Sequence, residues 1–241
     1  MTLLKVEELR KSFGGLRAVD GLSFEVAEGE VMGLLGPNGS GKTTAMNLIS
    51  GALHADSGSI RLESDELMGL PAYKIARLGV ARTFQLVRVL GGMTCVENVQ
   101  AGMAYRKDHK FGAAAHTEAL ELLALVGLSK FADTPAVDLT YIDQKRLELA
   151  RALALKPRLL LLDEWLAGLN PTELQEGIKL IRNLRAQGLT VILVEHVMEA
   201  VRALCDRCVV MLAGAKLAEG KTEEVLAQEE VITAYLGAPH V

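Results

Sequence analysis

The sequence predicts an α/β protein with a largely parallel sheet and an inserted all-helical subdomain. Three observations predict it. Short apolar strands alternate with amphipathic helices toward both ends of the chain. The middle, from about Val87 to Arg151, carries helical patterns and no convincing strand. A glycine-rich loop follows a short apolar strand directly and opens a helix.

In chain order, Leu3–Leu9 and Leu22–Val26 read as strands around the turn-like Phe13-Gly14-Gly15. Val31–Leu35 is uniformly apolar and predicts a buried strand, with a helix from about Lys42 to Ser50. In the middle, Thr94 and Glu97 form a capping-box pattern that starts a helix. Ala119, Leu122, Leu123 and Val126 share one helical face, closed by Gly127, and another helix is predicted from about Gln144 to Leu155. The run Arg106-Lys107-Asp108-His109-Lys110 reads as a solvated turn. Leu159–Leu162 predicts a buried strand ending in Asp163-Glu164. Asn170-Pro171 opens a helix, because Asn caps and Pro suits the first turn. Leu174, Ile178 and Ile181 recur at helical spacing, Gly188 ends the helix, and Thr190–Val194 is the next buried strand.

Composition narrows the function. The chain has 241 residues, 50% hydrophobic and 23% charged, which excludes a disordered or fibrous protein. A net charge of -4 argues against nucleic acid or an anionic membrane surface as partner. The longest apolar runs, such as Leu159–Leu162 and Val191–Val194, are strand-length, so no membrane span is expected. The opening MTLLKVEELRKSF lacks an apolar signal core, which predicts an intracellular chain. Three cysteines predict reduced thiols, and the lone Cys205-Asp206-Arg207-Cys208 spacing reads as structural thiols rather than a zinc site.

The strongest chemical signal is Gly36-Pro37-Asn38-Gly39-Ser40-Gly41-Lys42-Thr43-Thr44, a full G-x-x-x-x-G-K-[ST] pattern between strand and helix. Triphosphate oxygens need many donors at close range. Glycines let backbone N–H groups approach, and the helix N-terminus adds unpaired donors and a positive dipole end. Lys42 supplies a charge to the β/γ-phosphates and the Thr43 hydroxyl a ligand for Mg²⁺. Asp163, at a strand end, suits Mg²⁺, and Glu164 suits the base that deprotonates the attacking water.

These residues resemble the ATPase subunit of an ATP-binding cassette (ABC) transporter over essentially the whole chain. The resemblance implies a P-loop NTPase (RecA-like) core from 1–86 and 152–241, an antiparallel β subdomain, and a helical subdomain from 87–151. It gives Phe13 the place of an aromatic that stacks on adenine. Gln85, in Thr83-Phe84-Gln85, matches the loop that joins core to helical subdomain and senses Mg²⁺ and the membrane partner. Ala167-Gly168-Leu169-Asn170-Pro171 looks like the loop crossing the dimer interface, and His196 matches the switch histidine at the γ-phosphate. Taken singly, Phe13, Gln85 and His196 would read as core, surface amide and capping histidine; their joint order lifts them above that.

Phe13-Gly14-Gly15-Leu16-Arg17-Ala18-Val19, Met93-Thr94-Cys95-Val96-Glu97-Asn98-Val99 and the tail Ala234-Tyr235-Leu236-Gly237 look like the Liv-type importers of branched-chain amino acids. The implied ligands are ATP and Mg²⁺. The implied partners are a second ATPase chain, more often a different one, and transmembrane permease subunits, at the cytoplasmic face of the plasma membrane. Leu86, Val87, Val89 and Leu90 would line a groove for the permease, or else belong to the subdomain core.

The family's signature L-S-x-G-Q-Q is altered to Leu139-Thr140-Tyr141-Ile142-Asp143-Gln144. Thr140 keeps the hydroxyl. Ile142 adds bulk where glycine is usual, with strain if the backbone needs φ > 0, and Asp143 sets a carboxylate toward a phosphate unless it turns away or pairs with a base. An ATP-binding, poorly hydrolysing partner of a second ATPase subunit is therefore the alternative reading. Trp165, where proline is usual, is expected to pack beside the active strand.

Overall fold

The structure is a computed structural model that describes residues 1–104, 106, 108 and 110–236. Strands β1 (Thr2–Phe13) and β2 (Leu16–Ala27) pair antiparallel around Gly14, whose φ of 57° the tight turn requires. Both outrun their apolar segments, because the backbone ladder continues into the exposed end of the hairpin. Then come β3 (Val31–Leu35), α1 (Lys42–Ile49), β4 (Ser57–Leu62), β5 (Asp65–Glu66), α2 (Ala72–Leu78) and β6 (Val80–Arg82). The middle holds α3 (Cys95–Met103), α4 (Gly112–Leu125) and α5 (Tyr141–Leu153). The chain closes with β7 (Leu159–Asp163), α6 (Pro171–Ala186), β8 (Thr190–Val194), α7 (Met198–Leu204), β9 (Arg207–Leu212), β10 (Ala215–Lys221), α8 (Thr222–Leu226) and α9 (Glu229–Leu236).

One sheet has the order β2-β1-β4-β5 and is antiparallel. The other has the order β10-β9-β3-β8-β7-β6, parallel except for the edge strand β10. Strand side chains alternate faces, so a strand covered on both sides reads as continuously apolar. In β7, Leu160 and Leu162 join the core under α5 and α6, while Leu159 and Leu161 join the core between the two sheets and α1. In β8, Val191 and Leu193 face the first core, and Ile192 and Val194 the second.

Among the described residues, 87–151 contains no named strand, only an isolated bridge between Thr94 and Pro135. Thr94 and Glu97 make both capping-box bonds at the start of α3. Helix α5 starts three residues before the predicted Gln144, because the Thr140 hydroxyl accepts the Asp143 N–H and caps it. The charged turn is not simply solvated. Arg106 is buried at 3% exposure and pairs with Glu118 and with Asp108 at 3.0 Å. Arg106 holds the Glu118 carboxyl down to about 2 against its partial burial. Lys107 and His109 of that run, and Gly237 of the tail, lie outside the described residues. Cys205 and Cys208 are buried free thiols, and no metal-binding cluster of His, Cys, Asp or Glu occurs among the described residues. No helix among them is long and apolar enough to cross a membrane.

Candidate active site

The glycine-rich loop leaves β3 at the centre of the parallel sheet and enters α1. Two of its glycines are obligatory. A Cβ on Gly36 would lie 2.2 Å from the Met211 carbonyl, and one on Gly41, at φ 104°, would lie 2.3 Å from the Ala18 carbonyl. The loop is thus wedged between β9 and β2. Lys42 is buried and folds back along it, donating to the carbonyls of Gly36 at 2.7 Å and Pro37 at 2.9 Å. Burial pulls the Lys42 ammonium below its usual range, while Glu164 and Asp163 oppose that.

The loop floors an open cleft of about 910 Å³. Phe13, at the exposed tip of the β1–β2 hairpin, stands on one wall. Gly36 to Gly39, Gly41 to Thr44, Gln85, Glu164 and His196 line the rest. Ser40 and Asp163 are buried and are not part of this cleft's exposed lining. The cleft's size and its phosphate-loop floor suit a nucleoside triphosphate.

Glu164 is the convergence point. It follows β7 at φ 51°, a left-handed conformation held by its N–H donating to the Val194 carbonyl at 2.8 Å. The Gln85 amide donates to Glu164 Oε2 at 2.8 Å, and His196 Nδ1 lies 3.7 Å from Glu164 Oε1. Gln85 is exposed, but its loop is not free. The buried Glu148 of α5 accepts the N–H groups of Phe84 at 3.3 Å and Arg88 at 2.9 Å.

Asp163 ends β7 with Oδ2 3.4 Å from Arg82 and Oδ1 buried without a partner among the described residues. Burial raises its carboxyl above the usual range, while Arg82 and Lys42 pull it back. Arg82 is fixed in turn by Asn47 at 2.7 Å and Ser50 at 2.9 Å, both near the end of α1. An orphaned carboxylate oxygen beside the phosphate loop, with the exposed Thr43 hydroxyl on that loop, is a hard-oxygen donor set that fits Mg²⁺.

The signature residues do not reach this cleft. Ile142 is helical with no positive φ, so the feared backbone strain is absent; its side chain lines a separate cleft with Leu125, Trp165 and Leu169. Asp143 accepts the Thr140 hydroxyl at 2.8 Å and pairs with Arg146 at 3.4 Å, so a base balances it. Trp165 packs in the core and donates to the Lys145 carbonyl at 3.1 Å.

A family profile described as ABC transporter matches residues 19–167. The chain belongs to the ABC transporter family, among its ATP-binding subunits. A second profile, branched-chain amino acid ATP-binding cassette transporter, matches residues 215–241. The high-affinity branched-chain amino acid transport ATP-binding protein BraF of Pseudomonas aeruginosa is 42% identical, covering 98% of each chain. LivG of Escherichia coli, with the same description, is 41% identical over 98% of each chain. The ADP conformation of MJ1267, an ATP-binding cassette of an ABC transporter, superposes with a TM-score of 0.89 at 31% identity, covering 98% of this chain and 99% of that one. The fold is therefore the ABC ATPase cassette, a nucleotide-binding ATPase coupled to transport.

Sequence reasoning passed over five residues of this ABC cassette. Arg82 fixes Asp163, and Glu148 fixes the Gln85 loop. Lys145 and Glu195 hold the segment after Glu164. Tyr235 of α9 accepts the Gly36 N–H at 2.7 Å, which ties the C-terminal helix to the start of the phosphate loop. Arg82 and Glu195 stand as charges in otherwise apolar sequence; Lys145 and Glu148 lie in a charged helical stretch, and Tyr235 belongs to the tail Ala234–Gly237, whose resemblance names no role for it.

Proposed function

We propose that this chain is the ATP-hydrolysing subunit that energises an importer of branched-chain or other hydrophobic amino acids or amides. The observation that carries the hydrolytic part is the convergence of Gln85 and His196 on Glu164 at the mouth of the phosphate loop. The substrate class rests on the names of the relatives. Phe13 stacks on the base, and the N–H groups from Gly39 to Thr44, with Lys42, hold the phosphates. Lys42 must exchange its two loop carbonyls for phosphate oxygens, an exchange its open cleft permits. Glu164 takes the proton of the attacking water, Gln85 holds Glu164, and His196 steadies the γ-phosphate. Mg²⁺, when bound, neutralises phosphate charge, with Thr43, Asp163 and Gln85 as the residues that would hold it.

In the working dimer, Thr140, Ile142 and Asp143 face the nucleotide of the opposite subunit, which fits their distance from their own cleft. A different ATPase chain is the favoured partner. Residues 1–86 with 152–241 form the nucleotide-binding core and 87–151 the helical subdomain. The apolar cleft of about 760 Å³ lined by Tyr73, Phe84, Val89, Leu90 and Met93 receives the permease at the cytoplasmic membrane face. The altered signature favours a second reading, a chain that binds ATP but hydrolyses it poorly.

The test is steady-state MgATP hydrolysis by the purified chain across protein concentrations, with Glu164→Gln as control. A specific rate that rises with concentration and vanishes in the control supports a hydrolysing subunit. Saturable ATP binding without Glu164-dependent turnover, alone or with a second ATPase chain and permease, supports the poorly hydrolysing partner.

A further inference from the structure

The turn that carries Glu164 is gripped from two sides by buried charged side chains. On the carbonyl side, Lys145 Nζ of α5 donates to Glu164 at 3.4 Å, Trp165 at 3.1 Å and Ala167 at 2.8 Å. On the amide side, the Leu166 N–H donates to Glu195 Oε1 at 2.6 Å. Glu195 is 2% exposed, and its Oε2 has no partner among the described residues. It directly precedes His196, whose ring lies 3.7 Å from Glu164. One carboxylate thus joins the strand end that carries the histidine to the turn that carries the acid.

Packing alone does not favour a carboxyl there. The charged and titratable groups around it are Lys145 from α5, Glu164 from the turn after β7 and the Cys205 thiol after α7. Burial pushes the Glu195 carboxyl up to about 7, although the Leu166 N–H and Lys145 hold it down. A buried acid that is incompletely partnered weakens the fold, so its occupancy of this position points to a task other than stability. The positive φ of Glu164 makes the turn the place where holding matters.

We propose that Glu195 is a positioning residue that sets the Glu164 turn against His196 through the Leu166 N–H, opposite the grip of Lys145. It rests on the assignment of Glu164 and His196 to hydrolysis made above. Without the acceptor, Leu166 loses its partner, the turn relaxes, and Glu164 leaves its place between Gln85 and His196. Nucleotide binding, made by the loop and Phe13, is untouched.

The full-length chain is compared with Glu195→Met, which has similar length and no acceptor for the amide, and Glu195→Gln, which keeps the acceptor and drops the charge. The readouts are kcat and KM for MgATP, the emission of Trp165, the only tryptophan and the neighbour of Leu166, and the thermal midpoint at pH 8. The expected result for Glu195→Met is a kcat at least about tenfold lower with KM unchanged, a shifted Trp165 emission, and a midpoint equal to or above the parent's. Glu195→Gln restores kcat to within about threefold of the parent. Glu195→Asp, which keeps the charge but withdraws the acceptor, lowers kcat in the same direction and decides the matter if Glu195→Met does not fold. Parental kcat and emission in Glu195→Met or Glu195→Asp overturn the proposal. So does a joint fall of kcat and midpoint in Glu195→Gln, which marks a plain structural role. Glu164→Gln separates the two readings: if it leaves turnover intact, the assignment of Glu164 fails whatever Glu195 does.

Discussion

Strands β7 and β8 lie side by side, run parallel, and each leads into a buried acid. Asp163 ends one and Glu195 follows the other; each keeps one carboxylate oxygen without a partner among the described residues, and burial raises both. Their surroundings differ because strand side chains alternate faces. Asp163 shares its parity with Leu159 and Leu161, on the side of α1 and the phosphate loop, where Arg82 and Lys42 balance it. Glu195 follows Val191 and Leu193, on the side of α5 and α6, where a backbone N–H and Lys145 answer it. The same chemistry at two neighbouring strand ends is assigned to ligand on one face and to internal positioning on the other. A one-residue step along a strand is enough to decide between them.

The largest expected effect breaks the comparison on the Asp163 side. Asp163→Ala or Glu164→Gln should lower MgATP turnover by about 10²–10⁴-fold, read as steady-state phosphate release. Excess EDTA should abolish parental turnover as fully as Asp163→Ala does; turnover that survives the chelator would remove Mg²⁺ from the scheme.

Next comes the pH dependence of stability on the Glu195 side. A carboxyl raised to about 7 in the fold, against an ordinary value near 4.5, stabilises the folded state fully below the unfolded value. That contribution is lost as pH rises through about 7. Glu195→Gln removes the loss, so its advantage over the parent should grow between pH 5 and 8 toward roughly 2–3 kcal/mol in urea unfolding. A pH-independent difference would mean that Glu195 is not raised.

Arg106 offers the contrast of a buried charge that is well paired. Arg106→Met should cost about 1–3 kcal/mol, because it removes the buried partner of Glu118 and leaves that carboxylate only Lys110 and the more distant Lys156. Glu118, held down to about 2 in the fold, contributes stability present above its ordinary value and lost as pH falls through about 2. The parent's margin over Glu118→Gln should therefore shrink on acidification from pH 5 to 2; a margin that grows would break the pairing. The smallest effect belongs to a helix end far from either acid. Thr94→Ala removes the α3 capping box and should lower stability by about 1 kcal/mol with kcat unchanged.

Local patterns carried much of this molecule. The strands Val31–Leu35 and Thr190–Val194 occupy their predicted spans, since a five-residue apolar run covered on both faces has no other soluble use. Asn170 and Pro171 open α6 with both capping bonds, as their types require. The first and last thirds were less legible. Strands β4, β5 and β10 carry exposed residues, β5 and β6 are only two and three residues long, and β4 and β6 pair with β1 and β7, which are distant in the chain. Helix α5 began early because a hydroxyl cap, rather than apolar spacing, set its start.

What the sequence by itself determined is the loop Gly36–Thr44 and the acids after Leu162, because spacing and residue type state that chemistry in one dimension; Gln85 and His196 came only with the family resemblance. Only the tertiary structure decided which buried charges answer one another. It brought Arg82 to Asp163, Glu148 to the amides of the Gln85 loop, and Lys145 and Glu195 to opposite sides of the Glu164 turn. Such pairings join residues up to 81 positions apart, and they depend on strand register and on the face each side chain takes. Register and face arise from packing the two cores against the shared sheet, and no local stretch of the chain contains that information.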